Sequence, residues 1–317
     1  MRLRLIILIL AVFAFLSAST GGWLYYYSYR KAVFQNAETQ SAAQLKLLTG
    51  QLSTYLSEHI KAIKALSRIR ELEQALLNQN LETIFQANQI LDLFTRSLEL
   101  DVCYLMDRNG VTICSSNRNR HDSFVGHDFS FRPYFQTAVQ GEPATYLALG
   151  TTSMKRGVYY SHPVYDLAGQ NILGVAVIKS SIEFIETTLF SASDHILLFV
   201  DPDGVVFISS RPGLRFKLLW DLNEEKLEQI ANSRQFGNGP WKWSGFQRTA
   251  KETVTGPKGN VFLYSSLPVT NYPGWQVVFL RNKKALEKQV SQPFIRGIGP
   301  AVICISILAG VLVFFLY

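Results

Sequence analysis

Charged residues are absent from two long stretches of this 317-residue sequence, one near each end. None occurs in residues 5–29, and none occurs in residues 297–317. Each stretch reaches the ~20 apolar residues with which a helix crosses a ~30 Å hydrocarbon layer. The sequence therefore predicts two transmembrane helices, with residues 30–293 together on one side of the membrane.

The first stretch also fits a cleaved signal peptide. MRLR would be its basic segment, residues 5–16 its apolar core and SAS at 17–19 its cleavage site. The apolar stretch continues past that site into WLYYYSY, an aromatic segment typical of a membrane–water interface. We therefore favour a membrane helix. Arg2 and Arg4 indicate a cytoplasmic N-terminus, although Arg30 and Lys31 weaken that signal.

Cysteines and catalytic motifs are scarce as well. Cys304 falls in the second apolar stretch, and Cys103 and Cys114 are predicted to be small buried residues and not a disulfide. The five histidines are scattered, without a metal-ligand spacing such as HExxH. GxSxG, CxxC and phosphate-loop motifs do not occur. We therefore predict no catalytic residue, no metal site and no cofactor.

Strong net charge is also missing. The formal charge is +7, and without Arg2, Arg4 and Arg296, which flank the apolar stretches, 28 basic residues face 24 acidic ones. Such a small and dispersed excess argues against a nucleic-acid partner, whereas it suits small anionic ligands.

An apolar stripe follows the first stretch. Its residues recur at steps of three and four, as on one face of a helix: Leu45, Leu48, Leu52, Leu56, Ile60, Ile63, Leu66 and Ile69. This spacing predicts a helix over 32–77, and a second helical pattern covers 81–98. The stripe could pack along a globular domain, pair with a second chain, or do both at different heights. We predict a parallel homodimer along it.

The periodicity then changes to that of strands, and the strand segments repeat. DVCYLMDRNGVTICSS at 101–116 has a counterpart in ILLFVDPDGVVFISS at 196–210. YYSHPVYDLAGQNILGVAVIK at 159–179 resembles LYSSLPVTNYPGWQVVFLR at 263–281. Internal repeats of this kind predict two similar modules in tandem.

Each module is expected to be a small antiparallel sheet with a helix on one face, which makes the fold class α+β. The predicted boundaries are 30–100 for the helices, 101–190 for the first module and 191–282 for the second. A helical connector at 283–296 leads into the second apolar stretch.

The first module contains polar residues suited to an anion. Arg132, within FRPYF, carries a planar guanidinium that matches a carboxylate bidentately. Hydroxyl donors follow in GTTS, a Tyr-Tyr pair lies on the next strand, and Lys179 ends an apolar run. A dianion needs a cation near each end, which Arg132 and Lys179 could supply. The alternative is an ordinary surface arginine, a solvated loop and a strand-end lysine.

These same motifs resemble a known family. Residues 124–179, with FRPYF, GTTS, the Tyr-Tyr pair and the terminal lysine, look like the membrane-distal module of double Cache (PDC-type) sensors. They are most similar to four-carbon-dicarboxylate sensor histidine kinases of the DctB type. The layout of two spans, a long helix and two modules matches across the whole chain. The resemblance implies PAS-like modules and a two-pass protein of the bacterial inner membrane.

The resemblance also implies a set of ligand-binding residues. Those expected to contact the ligand carboxylates are Arg132, Thr152, Ser153 and Lys179, and those expected to line the pocket are Tyr134 and Tyr160. Phe129 stands where relatives are expected to have a tyrosine, which leaves the exact ligand open. Kinases of this type continue into a cytoplasmic kinase domain that this sequence does not contain. We expect a fragment, or a protein that signals through a separate partner.

We therefore predict the extracytoplasmic sensor region of a two-component receptor that binds succinate, fumarate or malate. One alternative is the ligand-binding region of a chemoreceptor or cyclic-dinucleotide signalling protein for another small organic or amino acid. Another is a membrane-anchored scaffold that senses no small molecule. Only the first module carries FRPYF and GTTS, so one ligand site per chain is expected.

Overall fold

Four helices begin the chain in the computed structural model, which describes residues 2–191 and 195–315. They are α1 (Arg2–Ser57), α2 (Ile60–Leu66), α3 (Arg70–Asn78) and α4 (Leu81–Ser97). The later helices lie between or after the strands. They are α5 (Pro133–Ala138), α6 (Glu183–Thr188), α7 (Glu224–Ser233), α8 (Lys283–Pro293) and α9 (Gly299–Phe315).

The apolar stretches fall on the first and last helices. Among the described residues, one helix is long and apolar enough to cross a membrane, and it begins near the N-terminus. The second predicted span falls largely on α9, which contacts α1, while residues 316–317 lie outside the described part of the chain. The second span therefore stays a prediction.

The helix predicted over 32–77 is wrong in its extent, because α1 ends at Ser57. The chain turns at His59 and again at Ile69, whose backbone is extended (φ −76°, ψ 128°). At the second turn, a 2.9 Å hydrogen bond joins Ser67 Oγ to Nδ1 of His162 on the first sheet. The apolar periodicity continues across both turns because the short helices still face the same core.

The apolar stripe of α1 is covered by the chain itself. Leu52 and Leu56 are completely buried, in a cluster that includes residues of both sheets. The parallel homodimer itself stays a prediction, but its expected contact through the stripe of α1 is wrong. The leucines of this stripe have no free surface to offer a partner, because the sheets of their own chain already cover them.

The strands form two antiparallel sheets. The first sheet has the order β2-β1-β5-β4-β3, with β1 (Val102–Asp107), β2 (Thr112–Ser115), β3 (Ala144–Leu149), β4 (Arg156–Tyr165) and β5 (Ile172–Ser181). The second has the order β7-β6-β11-β10-β9-β8, with β6 (Ile196–Val200), β7 (Val206–Ser209), β8 (Gln247–Ala250), β9 (Thr253–Thr255), β10 (Val261–Pro268) and β11 (Gln276–Asn282). The shared strand order agrees with an internal repeat.

The first hairpin of each sheet has the same turn. Asp107 Oδ1 accepts two backbone N–H groups of its turn, both at 2.9 Å, and Asp201 Oδ1 does the same at 3.1 and 2.6 Å. Gly110 and Gly204 occupy equivalent positions with φ of +89°, where a residue with a side chain would be strained. The repeat predicted from these two segments is confirmed at the hairpin.

In the second pair of repeated segments, the structural equivalence differs by one residue from the sequence comparison, in which Lys179 and Arg281 end the two segments. Lys179 lies opposite Tyr159 in the first sheet, and Leu280 lies opposite Tyr264 in the second. The pairings of β1 with β5 and of β6 with β11 give the same equivalence. Leu280, and not Arg281, is therefore the structural counterpart of Lys179.

Helices α1–α4 cover one face of the two sheets. One apolar cluster joins Leu52 of α1 to Ile178 of the first sheet and Phe279 of the second. The opposite face of the first sheet, which we call the outer face, has a separate cluster that includes Tyr104 and Tyr159. The predicted binding residues are distributed between these two faces.

Candidate functional site

Neighbouring tyrosines on β4 point to opposite faces of the first sheet, because side chains alternate along a strand. Tyr159 lies opposite Lys179 and belongs to the outer-face cluster, where its ring stacks on Tyr134 with 5.2 Å between centroids. Tyr160 belongs to the helix-side core and contacts His59 with 5.4 Å between centroids. The expectation that Tyr160 shares a site with Lys179 is therefore wrong, and Tyr159 is the tyrosine of this pair on the same face as Lys179.

Arg132 is a buried cation on the outer face. It precedes α5, whose first residue is Pro133, and only 2% of it is exposed. Its guanidinium donates hydrogen bonds to the carbonyl oxygens of Leu149 at 3.0 Å and Arg234 at 3.3 Å, and lies 5.2 Å from the ring centre of Phe131. Among the described residues, no carboxylate lies within ion-pair distance of it. Its positive charge is thus met only by neutral groups.

Lys179 is a second buried cation on the same face, 1% exposed. Its Nζ donates to Ser153 Oγ at 3.0 Å and lies 3.6 Å from an oxygen of Asp101. It also lies 5.9 Å from the ring centre of Tyr159. Burial lowers the pKa of Lys179 because it removes water from the ammonium, and the charge of Asp101 opposes that shift.

The turn after β3 brings hydroxyl groups to this lysine. A Cβ atom on Gly150 would lie 2.6 Å from Ser153 Oγ and 2.9 Å from the Tyr159 hydroxyl, so a side chain at this position would displace hydroxyl groups next to Lys179. Ser153 and Thr152 are both half-buried in the turn. The structure thus places GTTS beside Lys179, in agreement with the expected proximity of these motifs.

Phenol groups pack together on the outer face, beside the two cations. The hydroxyl of Tyr134 lies 2.8 Å from that of Tyr104, and burial raises the pKa of Tyr134 to about 12. The hydroxyl of Tyr146 is buried and has no hydrogen-bond partner among the described residues. Burial raises the pKa of Tyr146 and Tyr159 too, so all these phenols stay protonated at neutral pH and can donate hydrogen bonds.

Three residues of the candidate site were not predicted from the sequence: Asp101, Tyr104 and Tyr146. Tyr159 was noted as part of the Tyr-Tyr pair, but only Tyr160 of that pair was predicted to line the site. Strand alternation could have found Tyr159, because it marks the residue that shares a face with Lys179. Asp101 gave no such signal, since only the pairing of β1 with β5 brings it beside Lys179. Phe129 lies in the outer-face cluster, with its ring 6.1 Å from that of Tyr104.

The arrangement can bind an anion but offers no group of metal ligands. Two buried cations, a hydroxyl-bearing turn and protonated phenols share the outer face of the first sheet. Across residues 2–191 and 195–315, no cluster of three or more His, Cys, Asp or Glu residues could hold a metal ion. Cys103 and Cys114 are buried free thiols whose pKa burial raises to about 12.

A family model described as a Cache domain matches residues 31–290. The chain belongs to the Cache domain family. The match includes the part of α1 that packs on the sheets, both sheets themselves and most of α8. The Cache assignment thus covers the whole region that carries the candidate site.

Two curated relatives of this Cache chain are named C4-dicarboxylate transport sensor protein DctB. The relative from Pseudomonas aeruginosa is 36% identical over 223 residues, which are 70% of this chain and 36% of the relative. The relative from Rhizobium meliloti is 37% identical over 166 residues, which are 52% of this chain and 26% of the relative. The aligned residues thus span between a quarter and two fifths of these proteins.

Solved structures resemble the same region. The sensor domain of the Vibrio cholerae histidine kinase DctB is 31% identical, with a TM-score of 0.74 over 79% of this chain and 98% of that domain. The sensory domain of the Campylobacter jejuni chemoreceptor Tlp3 has a TM-score of 0.57 at 15% identity, over 82% of this chain and 98% of that one. The first comparison supports homology to DctB sensor domains, whereas the second shows a shared fold alone.

Proposed function

We propose that this chain is the periplasmic sensor region of a two-component receptor and binds a small four-carbon dicarboxylate. The supporting observation is the burial of Arg132 and Lys179, 2% and 1% exposed, on one face of the first sheet. Among the described residues, Asp101 is the only carboxylate within ion-pair distance of either cation. A buried cation without a full partner costs several kcal/mol, so a bound dianion would stabilise the site.

Each side chain has a distinct role in this proposal. Arg132 binds one carboxylate bidentately, and Lys179 binds the other together with Ser153. Thr152 adds a hydroxyl at the same end. Tyr134 and Tyr159 separate the ligand from solvent. Tyr160 has no role in binding, because it faces the helix-side core. The unpartnered hydroxyl of Tyr146 is available for a further hydrogen bond.

The ligand class and the signalling context also have support from relatives. The two curated relatives are named C4-dicarboxylate transport sensor proteins, and the Vibrio cholerae relative is named a histidine kinase. We propose succinate, fumarate or malate as the ligand, an inner-membrane location anchored by α1 and α9, and a histidine kinase as the output.

Titration calorimetry on the whole chain in detergent would test the ligand class. We expect succinate to bind at least about a hundredfold more tightly than butyrate, since butyrate leaves one buried cation unpaired. Equal affinities for the two acids would contradict the two-cation site. Failure of every mono-, di- and tricarboxylate to bind would favour a scaffold that senses no small acid.

A small amino acid is a second candidate ligand, favoured by Asp101. This carboxylate is 29% exposed in its side chain and lies 3.6 Å from Lys179, where it could accept the ammonium group of a ligand held through Arg132. Replacement of Asp101 by asparagine separates the candidates. If the ligand is a dianion, the replacement should strengthen succinate binding, because Asp101 no longer competes for Lys179. If the ligand is an amino acid, the replacement should weaken its binding, because its ammonium group loses the carboxylate.

A further inference from the structure

One residue of the second module extends the first sheet. Strand β3 forms an edge of that sheet, so its outer N–H and C=O groups have no strand partner there. The N–H of Leu149 donates to the carbonyl of Gln235 at 2.8 Å. The side-chain amide of Gln235 donates to the carbonyl of Leu147 at 2.7 Å. Gln235 thus forms hydrogen bonds with β3 much as a neighbouring strand would.

Arg132 takes part in the same contact. Its guanidinium donates to the carbonyl of Leu149 on β3 and to the carbonyl of Arg234, which directly precedes Gln235. A guanidinium has more N–H donors than these two bonds use, so it can hold both carbonyls and still bind a carboxylate. The proposed ligand-binding arginine is therefore attached to both modules at once.

The segment around Gln235 contacts both modules. Arg234 ends α7 in a left-handed conformation with φ of 50°, and its guanidinium carbon lies 5.3 Å from the ring centre of Phe131. Phe236 is 4% exposed and contacts Phe207 of β7 with 5.8 Å between ring centroids. A displacement of β7 or α7 would therefore move the carbonyl that Arg132 binds.

We propose that Gln235 and the Arg234 carbonyl are positioning elements for the ligand site. They hold the Arg132 guanidinium in its binding orientation, so that affinity for the anion depends on where the second module lies. Coupling between two equilibria is reciprocal, hence a bound anion strengthens the attachment of residues 234–236 to β3. The ligand part of this inference rests on the proposed function, whereas the attachment of Arg132 does not.

Hydrogen exchange without ligand tests the attachment. We expect Arg132→Met to speed amide exchange at least about fivefold at 147–150 and 233–237, because both carbonyls lose their donor. Lys179→Met is the matched control: it also removes a buried cation of the site, but Lys179 has no hydrogen bond to the described residues of the second module. Equal exchange in Arg132→Met and wild type, or equal acceleration in both variants, would overturn the inference.

Ligand measurements test the coupling. Succinate should slow exchange at 233–237 in the wild type, and Gln235→Leu should weaken succinate binding by about three- to tenfold, the effect of one hydrogen bond. Gln247→Leu, an exposed residue of β8, should bind succinate as the wild type does. If succinate binds but exchange at 233–237 and the affinity of Gln235→Leu are unchanged, the inference is wrong. If no dicarboxylate binds, the proposed function fails, and the ligand-free exchange still decides the attachment.

Discussion

The buried ammonium of Lys179 lowers the stability of the folded chain. Its ammonium is 1% exposed, and the loss of hydration lowers its pKa in the folded chain, with Asp101 opposing the shift. The unfolded chain binds this proton more tightly than the folded one. The resulting destabilisation is complete below the lowered pKa and disappears as the pH rises to the unfolded value of about 10.4.

We therefore predict that Lys179→Met stabilises the ligand-free chain. At pH 7 the gain in unfolding free energy should be about 1 kcal/mol, because a buried charge is replaced by an apolar side chain of similar length. The gain should shrink as the pH is raised towards 10. Urea unfolding at several pH values would measure it, with the exposed Lys155→Met as control. A variant less stable than wild type at pH 7 would contradict this account of the lysine.

At the scale of elements, β4 separates two functions by strand alternation. Tyr159 faces the candidate site, whereas the hydroxyl of Tyr160 is buried in the helix-side core without a hydrogen-bond partner among the described residues. We expect Tyr159→Phe to weaken succinate binding by about three- to tenfold, the effect of one lost hydrogen bond. Tyr160→Phe should leave binding unchanged and stability equal or higher. If Tyr160→Phe weakened succinate binding and Tyr159→Phe did not, the ligand would lie on the helix-side face of the sheet.

Helix α1 packs on both sheets, and its buried leucines therefore contribute to the stability of the single chain. We predict that Leu52→Glu destabilises the chain by more than about 3 kcal/mol, because it buries an unpaired charge in a position with no exposed surface. Leu47→Glu on the same helix, at a residue 60% exposed, should change stability little. Thermal unfolding of the two variants would show the difference. Equal melting temperatures would mean that the stripe is not part of this core.

Local periodicity explains which elements could be predicted from the sequence. The stripe from Leu45 to Ile69 indicated helix, and the repeated Asp-Gly turns indicated paired hairpins, because both patterns arise from neighbours along the chain. What the stripe packs against is not a local property, so the leucines of α1 were incorrectly predicted to form the contact between two chains. For the same reason Arg132 and Lys179 stood out by their residue types, while Asp101 and Gln235, which reach the site through strand pairing and module contact, did not.

At the scale of the whole molecule, the two modules share a strand order but differ at the position of Lys179. The place of Lys179 in the first sheet is taken by Leu280 in the second. The basic residue that follows, Arg281, contacts α1 on the other face, where it donates to the carbonyl of Ala37 at 3.1 Å. The second module therefore lacks a cation at the equivalent position on its outer face.

This asymmetry predicts one dicarboxylate per chain, bound by the first module alone. Titration of the whole chain with succinate should give a stoichiometry near one, and Lys179→Met should abolish all of the binding within the measurable range. Arg281→Gln is the matched control, because it removes the corresponding basic residue of the repeat from a position that faces α1. It should keep the affinity within about twofold, as expected for a residue outside the site. A stoichiometry near two, or binding that survives Lys179→Met and is lost in Arg281→Gln, would place a ligand site in the second module.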